Sequence, residues 1–242
     1  MKTLKNVFEQ VVDYDNLYRA YLNARLCKRY RYEVLNFSAH LEDNLVKLQK
    51  ELIDRTYTLG KYREFYIYEP KKRLIMAQPF KDRVVQWAIY QVLNPVFAQG
   101  YITDSYACIK ERGTHKAVKR LHYWLRQVGK KPEKYYFLKL DISKYFYRID
   151  HDVLMGILKR KIHDDDMIFL LDKIVNSSET NFGLPPGKSP GEVKRSDRVS
   201  EKGMPVGNLS SQMFANLYLN ELDQYCKRTL GIHFYVRYMD DV

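Results

Sequence analysis

The stretch FYVRYMDDV (Phe234–Val242) decides how the rest of the chain is read. Phe234, Val236 and Tyr238 alternate with Tyr235, Arg237 and Met239, the period of two expected of a β-strand. That strand runs into two adjacent acids, Asp240 and Asp241. Neighbouring residues on a strand point to opposite faces, so the carboxylates converge only where a tight turn bends the backbone between them. A similar element lies far upstream, where KYYFLKLDISKYF (134–146) reads as a strand apolar enough to be buried on both faces and carries Asp141. Two such strands in one sheet set their terminal carboxylates side by side. Acids that close repel unless a cation sits between them, and a pair of Mg2+ ions answers that need. Two metals can activate an attacking hydroxyl and hold a leaving pyrophosphate, which points to nucleotidyl transfer. An Asp-Asp pair alone is weak evidence, since exposed Asp-Asp turns are common without metal.

Composition narrows the partner. Lys and Arg number 41 against 29 Asp and Glu, a net charge of +12. Such an excess attracts polyanions, either nucleic acid or an anionic membrane, or simply keeps the surface soluble. The 21 tyrosines favour nucleic acid, because aromatic faces stack on bases. No run approaches 18 apolar residues, and MKTLKNVFEQ lacks the apolar core and cleavage site of a secretion signal. Cys27, Cys108 and Cys226 are scattered and odd in number, which fits a reducing compartment. A soluble, cytoplasmic protein that does not engage a membrane is expected.

Along the chain, residues 1–60 read as a basic helical segment, with Leu17, Tyr18, Tyr21, Leu22 and Arg25 at helical spacing and Leu41, Leu45, Leu48 and Leu52 on a second helix. REFYIYEPKKRLIMAQPF (63–80) reads as a β-hairpin turning at EPKK, followed by a helix with Pro95 near its end. Thr114 is placed to cap a helix through Ala117, Val118, Leu121, Trp124 and Leu125. Helices are expected from about Val153 and Met167. HDDD (163–166) looks like a metal cluster but reads better as acids capping and charging the second of these. Residues 176–203, rich in Gly, Pro, Ser and charge, read as a loop or long-tipped hairpin whose cations either meet phosphates or are simply solvated. A long helix follows from about Gly207.

Taken together, these segments resemble the reverse transcriptases. Tyr238-Met239-Asp240-Asp241 matches the YxDD signature and FLKLDISKYF (137–146) the segment with the first catalytic aspartate. KKRLIMAQPFKDRVVQWAIYQVLNPVF (71–97), SYACIKERGTHKAV (105–118) and GMPVGNLSSQMFANLYL (203–219) resemble three further blocks in the right order. The likeness covers roughly 60–242. It implies an α+β right hand, with fingers over 61–134 and an incomplete palm over 135–242, behind the helical segment 1–60. Most of the family carries QGxxxSP before YxDD. Here Val206-Gly207-Asn208-Leu209-Ser210-Ser211-Gln212 resembles instead the reverse transcriptases of diversity-generating retroelements, which copy RNA into cDNA with errors at adenines. Such enzymes work with a small basic accessory variability protein.

The resemblance also implies roles. Asp141 and Asp240, with the backbone carbonyl of Ile142, hold two Mg2+ ions, and Asp241 completes the cluster. Phe146 matches the steric gate against a ribonucleotide 2′-OH, the alternative being a core aromatic. Arg73 matches the fingers residue holding the incoming triphosphate, with Lys72 either assisting or merely solvated. Val206, Gly207 and Gln212 border the nucleotide. The implied partners are template RNA and primer, the RNA–DNA hybrid and dNTPs. Because the family continues beyond YxDD with a partner strand, primer grip and thumb, residues 1–242 alone are expected to polymerise poorly. The rivals are a retron or group II intron lineage, and a nucleic-acid-binding protein with an idle site.

Overall fold

A computed structural model describes residues 3–68 and 72–242. The chain opens with α1 (Val7–Val12) and α2 (Tyr14–Ala24), separated only by Asp13, whose carboxylate accepts from the Asn16 N–H at 3.1 Å and so caps α2. Helices α3 (Tyr32–Ala39) and α4 (Leu41–Ile53) follow. On α2 the buried positions are Leu17, Ala20, Tyr21 and Ala24, one face of a 3.6-residue period, while Tyr18 is exposed. That face packs on α5 (Phe80–Gln99), which contains Pro95. Asn16 is buried at the contact, and its amide donates to the carbonyls of Val11 at 3.0 Å and Ala88 at 3.2 Å. Asp82, in the first turn of α5, accepts from Tyr57 OH and from Gly60 N–H, both at 2.8 Å. Burial nonetheless pushes its carboxyl above the usual range.

Strands β1 (Arg63–Ile67) and β2 (Arg73–Ala77) pair antiparallel, from Arg63 opposite Ala77 to Ile67 opposite Arg73. The expected turn at EPKK lies almost entirely outside the described residues. Leu74 and Met76, alternate residues of β2, turn inward to a small cluster with Tyr62 and Phe182.

Helix α6 (Thr114–Val128) starts differently from expectation. Gly113 occupies the cap position, and no side chain caps the helix. Of the expected apolar stripe only Ala117 and Trp124 are buried; Val118 and Leu125 are more than half exposed. Helices α7 (His151–Lys161) and α8 (Asp165–Val175) follow the forecast closely. The HDDD run is a capping device: Asp164 accepts from Met167 N–H at 3.0 Å for α8, and from Val7 and Phe8 N–H at 2.7 and 2.9 Å for α1. Helix α9 (Leu209–Gln224) packs against α5. The main core runs from α1 and α2 through α5, α7, α8 and α9.

The segment 134–141 forms no ladder and is not buried. Tyr136, Phe137 and Leu138 are 93%, 67% and 73% exposed. A strand covers both faces only when neighbouring strands and a packed layer flank it. Among the described residues its backbone pairs only with Asp240 to Val242, with Leu140 and Val242 exchanging bonds of 2.8 and 2.9 Å. The stretch Phe234–Met239 is likewise no continuous strand. Its one parallel contact sets Arg237 beside Ser105, with Arg237 N–H on the Asp104 carbonyl at 2.9 Å. Among the described residues the molecule mixes many helices with one two-stranded sheet and scattered bridges. No described helix is long and apolar enough to cross a membrane.

Residues 176–203 are held by specific contacts, although Lys188, Lys194 and Lys202 stay exposed. Gly183 bridges Val199, and a Cβ at Gly183 would fall 2.5 Å from the carbonyl oxygens of Val199 and Lys202, so the close approach requires glycine. Phe182 stacks on Tyr147 at 4.3 Å. Arg198, nearly buried, grips Glu64 of β1 through two bonds of 2.7 and 2.8 Å, and Arg195 pairs with Glu179 at 2.8 Å. Two of the segment's cations are thereby committed to acids of the chain itself.

Candidate active site

Tyr238 to Asp241 close a tight turn, with Tyr238 N–H on the Asp241 carbonyl at 2.8 Å and Asp241 N–H on the Tyr238 carbonyl at 3.2 Å. Met239 takes φ of 56°, an uncommon state for a side chain of its size, costing on the order of 1–3 kcal/mol. Asp241 stands opposite Asp141 in an antiparallel bridge, and Ile142 N–H donates to the Asp240 carbonyl at 3.3 Å. Directly opposed residues share one face, and like charges so placed destabilise each other. Backbone bonds between segments distant in sequence therefore set Asp141 beside the turn that carries Asp240 and Asp241.

Electrostatics carry the same signature. The Asp240 carboxyl is pushed up, first by burial and then by the charges of Asp141 and Asp241; its own backbone hydrogen bond and Arg73 oppose the shift. Arg73, exposed at the start of β2, thus extends its field to the acidic turn. Asp241 also faces Lys139, 3.5 Å away and well exposed. Carboxylate and carbonyl oxygens are hard donors and fit a divalent cation such as Mg2+ in kind. Among the described residues, however, no group of three or more His, Cys, Asp or Glu is gathered closely enough to hold a metal.

The remaining expected residues divide. Lys72 lies over the Tyr66 ring at 4.4 Å. Phe146 is half-buried, edge-on to Tyr145 at 5.5 Å, and packs against both the main core and the small cluster. Val206 packs into that small cluster and accepts from Met76 N–H at 3.3 Å. Gly207 has φ of 107°, and a Cβ there would sit 3.2 Å from Ile75 Cγ2, so it lets the backbone press on β2. Gln212 lies in the first turn of α9, its N–H on the Asn208 carbonyl at 3.4 Å. Beside it Asn208 Oδ1 and the hydroxyls of Ser210 and Ser211 are buried without protein partners.

Sequence reasoning missed what supports the turn. Arg237 and Asp223 are both fully buried and joined by two bonds of 2.7 Å. Tyr235 OH donates to Asp223 at 2.7 Å, and Arg237 Nη1 donates to Asn216 Oδ1 at 3.3 Å and to the Met239 carbonyl at 2.9 Å. Burial alone would favour a neutral guanidinium, but Asp223 overrides it and holds Arg237 charged. The pair ties α9 to the left-handed residue of the turn. An arginine within a strand-like apolar run was the available signal. Thr114, expected as a cap, instead donates to Tyr238 OH at 3.1 Å.

Residues 68–242 match the profile of a family described as "Reverse transcriptase (RNA-dependent DNA polymerase)". The chain is 29% identical over 189 residues to Protein YkfC of Escherichia coli (strain K12), covering 77% of this chain and 46% of that protein. It is 27% identical over 188 residues to the Group II intron-encoded protein LtrA of Lactococcus lactis subsp. cremoris, covering 76% of this chain and 28% of that one. The chain thus spans less than half the length of either. A solved structure, a partial Cas6-RT-Cas1--Cas2 complex, superposes with a TM-score of 0.43 at 15% identity, over 97% of this chain and 37% of that one.

Proposed function

Because the chain belongs to the reverse transcriptase (RNA-dependent DNA polymerase) family, we propose that it is the fingers and palm of an enzyme that extends a primer on an RNA template with dNTPs. One observation carries this: Asp141 and Asp241 stand opposite each other while Asp240 feels the charge of both acids and of Arg73. In this reading Asp141, Asp240 and the Ile142 carbonyl would hold Mg2+, which supplies an activated 3′-hydroxyl and charge neutralisation when bound. Arg73 orients the triphosphate, a task suited to a permanently charged fork of donors. Phe146 stands against the sugar, and Gly207 and Gln212 border the nucleotide.

Within the family, Val206 to Gln212 support a diversity-generating retroelement enzyme that errs at template adenines and pairs with an accessory variability protein. The similarity to a group II intron-encoded protein favours the second reading, an intron-type lineage. Primer extension by the intact gene product carrying this chain, with Mg2+ and dNTPs on primed RNA, tests the activity. Asp141→Ala and Asp240→Ala should each abolish incorporation while leaving RNA affinity within about twofold. Normal extension by either variant removes the assignment. Sequencing the cDNA separates the lineages: errors concentrated at template adenines support the first, and an even spectrum the second.

A further inference from the structure

We propose that the exposed basic face of α6 is a second RNA site, gripping phosphodiester backbone outside the acidic turn. From Lys110 to Lys134 the chain carries nine Lys and Arg and only Glu111 and Glu133, a net +7 of the total +12. Alone among the described α-helices, α6 contains no Asp or Glu. A merely solvated helix face commonly alternates the signs of its charges, and this one does not.

The face is built as well as charged. A cavity of about 440 Å3 lies against it, with Arg112, Lys116, Lys119, Arg120 and Tyr123 in its lining. Arg112 is fastened to the carbonyls of Ile102 at 2.6 Å and Ser105 at 3.0 Å. Arg120 lies over the Trp124 ring at 4.0 Å and bonds Asp104 at 2.7 Å. Asp104, which accepts from Arg120, is also paired with Lys227 at 3.1 Å, so two cations offset its charge; Glu111 is exposed beside Arg112. Lys116 and Lys119 form no ion pair among the described residues and are exposed. Tyr123, 49% exposed, offers a ring face at the far end, about 10 Å along the helix from Lys116. Thr114, the first residue of α6, bonds Tyr238, the first residue of the acidic turn, so the basic face begins beside that turn. Fixed cations, free cations and an exposed ring in one row suit a nucleic-acid strand better than a folded acidic protein. Naming RNA as the strand rests on the proposed polymerase function; the phosphate site itself does not.

The test is RNA affinity of the full chain as a function of salt, using a labelled 20-nucleotide RNA. Each phosphate contact contributes about 0.7 to the slope of log affinity against log salt on a single strand. Lys116→Gln/Lys119→Gln should therefore lower the slope by about 1.4, so that raising salt from 50 to 200 mM weakens the variant about sevenfold less than the parent. Lys47→Gln/Lys159→Gln, which removes the same charge elsewhere, should leave the slope unchanged. Equal slopes for the two double variants overturn the site, as does equal competition by polyglutamate and by RNA. DNA of the same sequence binding more tightly than RNA overturns the choice of strand. Primer extension is scored separately on the intact gene product: its absence sinks the polymerase reading, while the salt slope alone decides the α6 site.

Discussion

Replacing Arg237 with Met keeps the length and apolar stem of the side chain but removes the charge from a fully buried pair. Four hydrogen bonds disappear: two to Asp223, one to Asn216 and one to the Met239 carbonyl. The larger loss lies with Asp223, left 0% exposed with only Tyr235 OH as a side-chain donor. Removing one partner of a buried ion pair costs about 3–5 kcal/mol, because the stranded charge keeps its desolvation penalty. A domain stability is only about 5–15 kcal/mol, so the variant should be severely weakened. With a urea dependence near 3 kcal/mol per M, expected at the upper end for a chain this size, the midpoint should fall by roughly 1–2 M. Asp223→Asn should lose a comparable amount, since it strands a guanidinium. The double variant Asp223→Asn/Arg237→Met buries no charge, and should lose about 2–3 kcal/mol less than the two single losses added. Urea unfolding of all four proteins measures this. Additive losses, or a midpoint shift below about 0.3 M for Arg237→Met, would falsify the idea that the pair anchors the turn.

Gly207→Ala should cost roughly 1–3 kcal/mol through its φ of 107° and the 3.2 Å approach to Ile75, read as a lowered melting temperature; an unchanged melt contradicts the strained contact. Phe146→Ala should destabilise by roughly 1–3 kcal/mol, less than a fully buried Phe, and raise ribonucleotide use relative to dNTPs in the intact gene product. Loss of stability with an unchanged sugar preference leaves Phe146 as packing alone. Val206→Gln puts an amide among Tyr62, Leu74, Met76 and Phe182, so it should cost about 1–3 kcal/mol of stability. If Val206 also sets fidelity, the same variant lowers misincorporation at template adenines several-fold more than at other bases; equal error spectra count against that role.

Much of this molecule was written locally. The helical periods of Leu17 and Tyr21, and of Leu45, Leu48 and Leu52, put those side chains on one face by the 3.6-residue repeat alone; their burial came from the helices packed on that face, as the exposed Val118 and Leu125 of α6 show by contrast. The hairpin of β1 and β2, the capping role of Asp164 and the existence of a tight turn at the acidic pair were legible for the same reason, each depending on residues a few positions apart, although the turn is centred one residue earlier than expected, on Met239 and Asp240. Burial of 134–141 was not, because an apolar strand is covered only by what flanks it, and its run of Tyr, Phe and Leu looks the same exposed or enclosed. Nor could order alone tell that Val206 packs on β2, that Arg195 and Arg198 are spent on Glu179 and Glu64, or that Thr114 reaches Tyr238 instead of capping its helix. The pairing of Asp223 with Arg237 belongs to the same class. Two charges fourteen residues apart become one neutral, buried unit only when α9 and the acidic turn are brought together, since burial would be prohibitive for either charge alone.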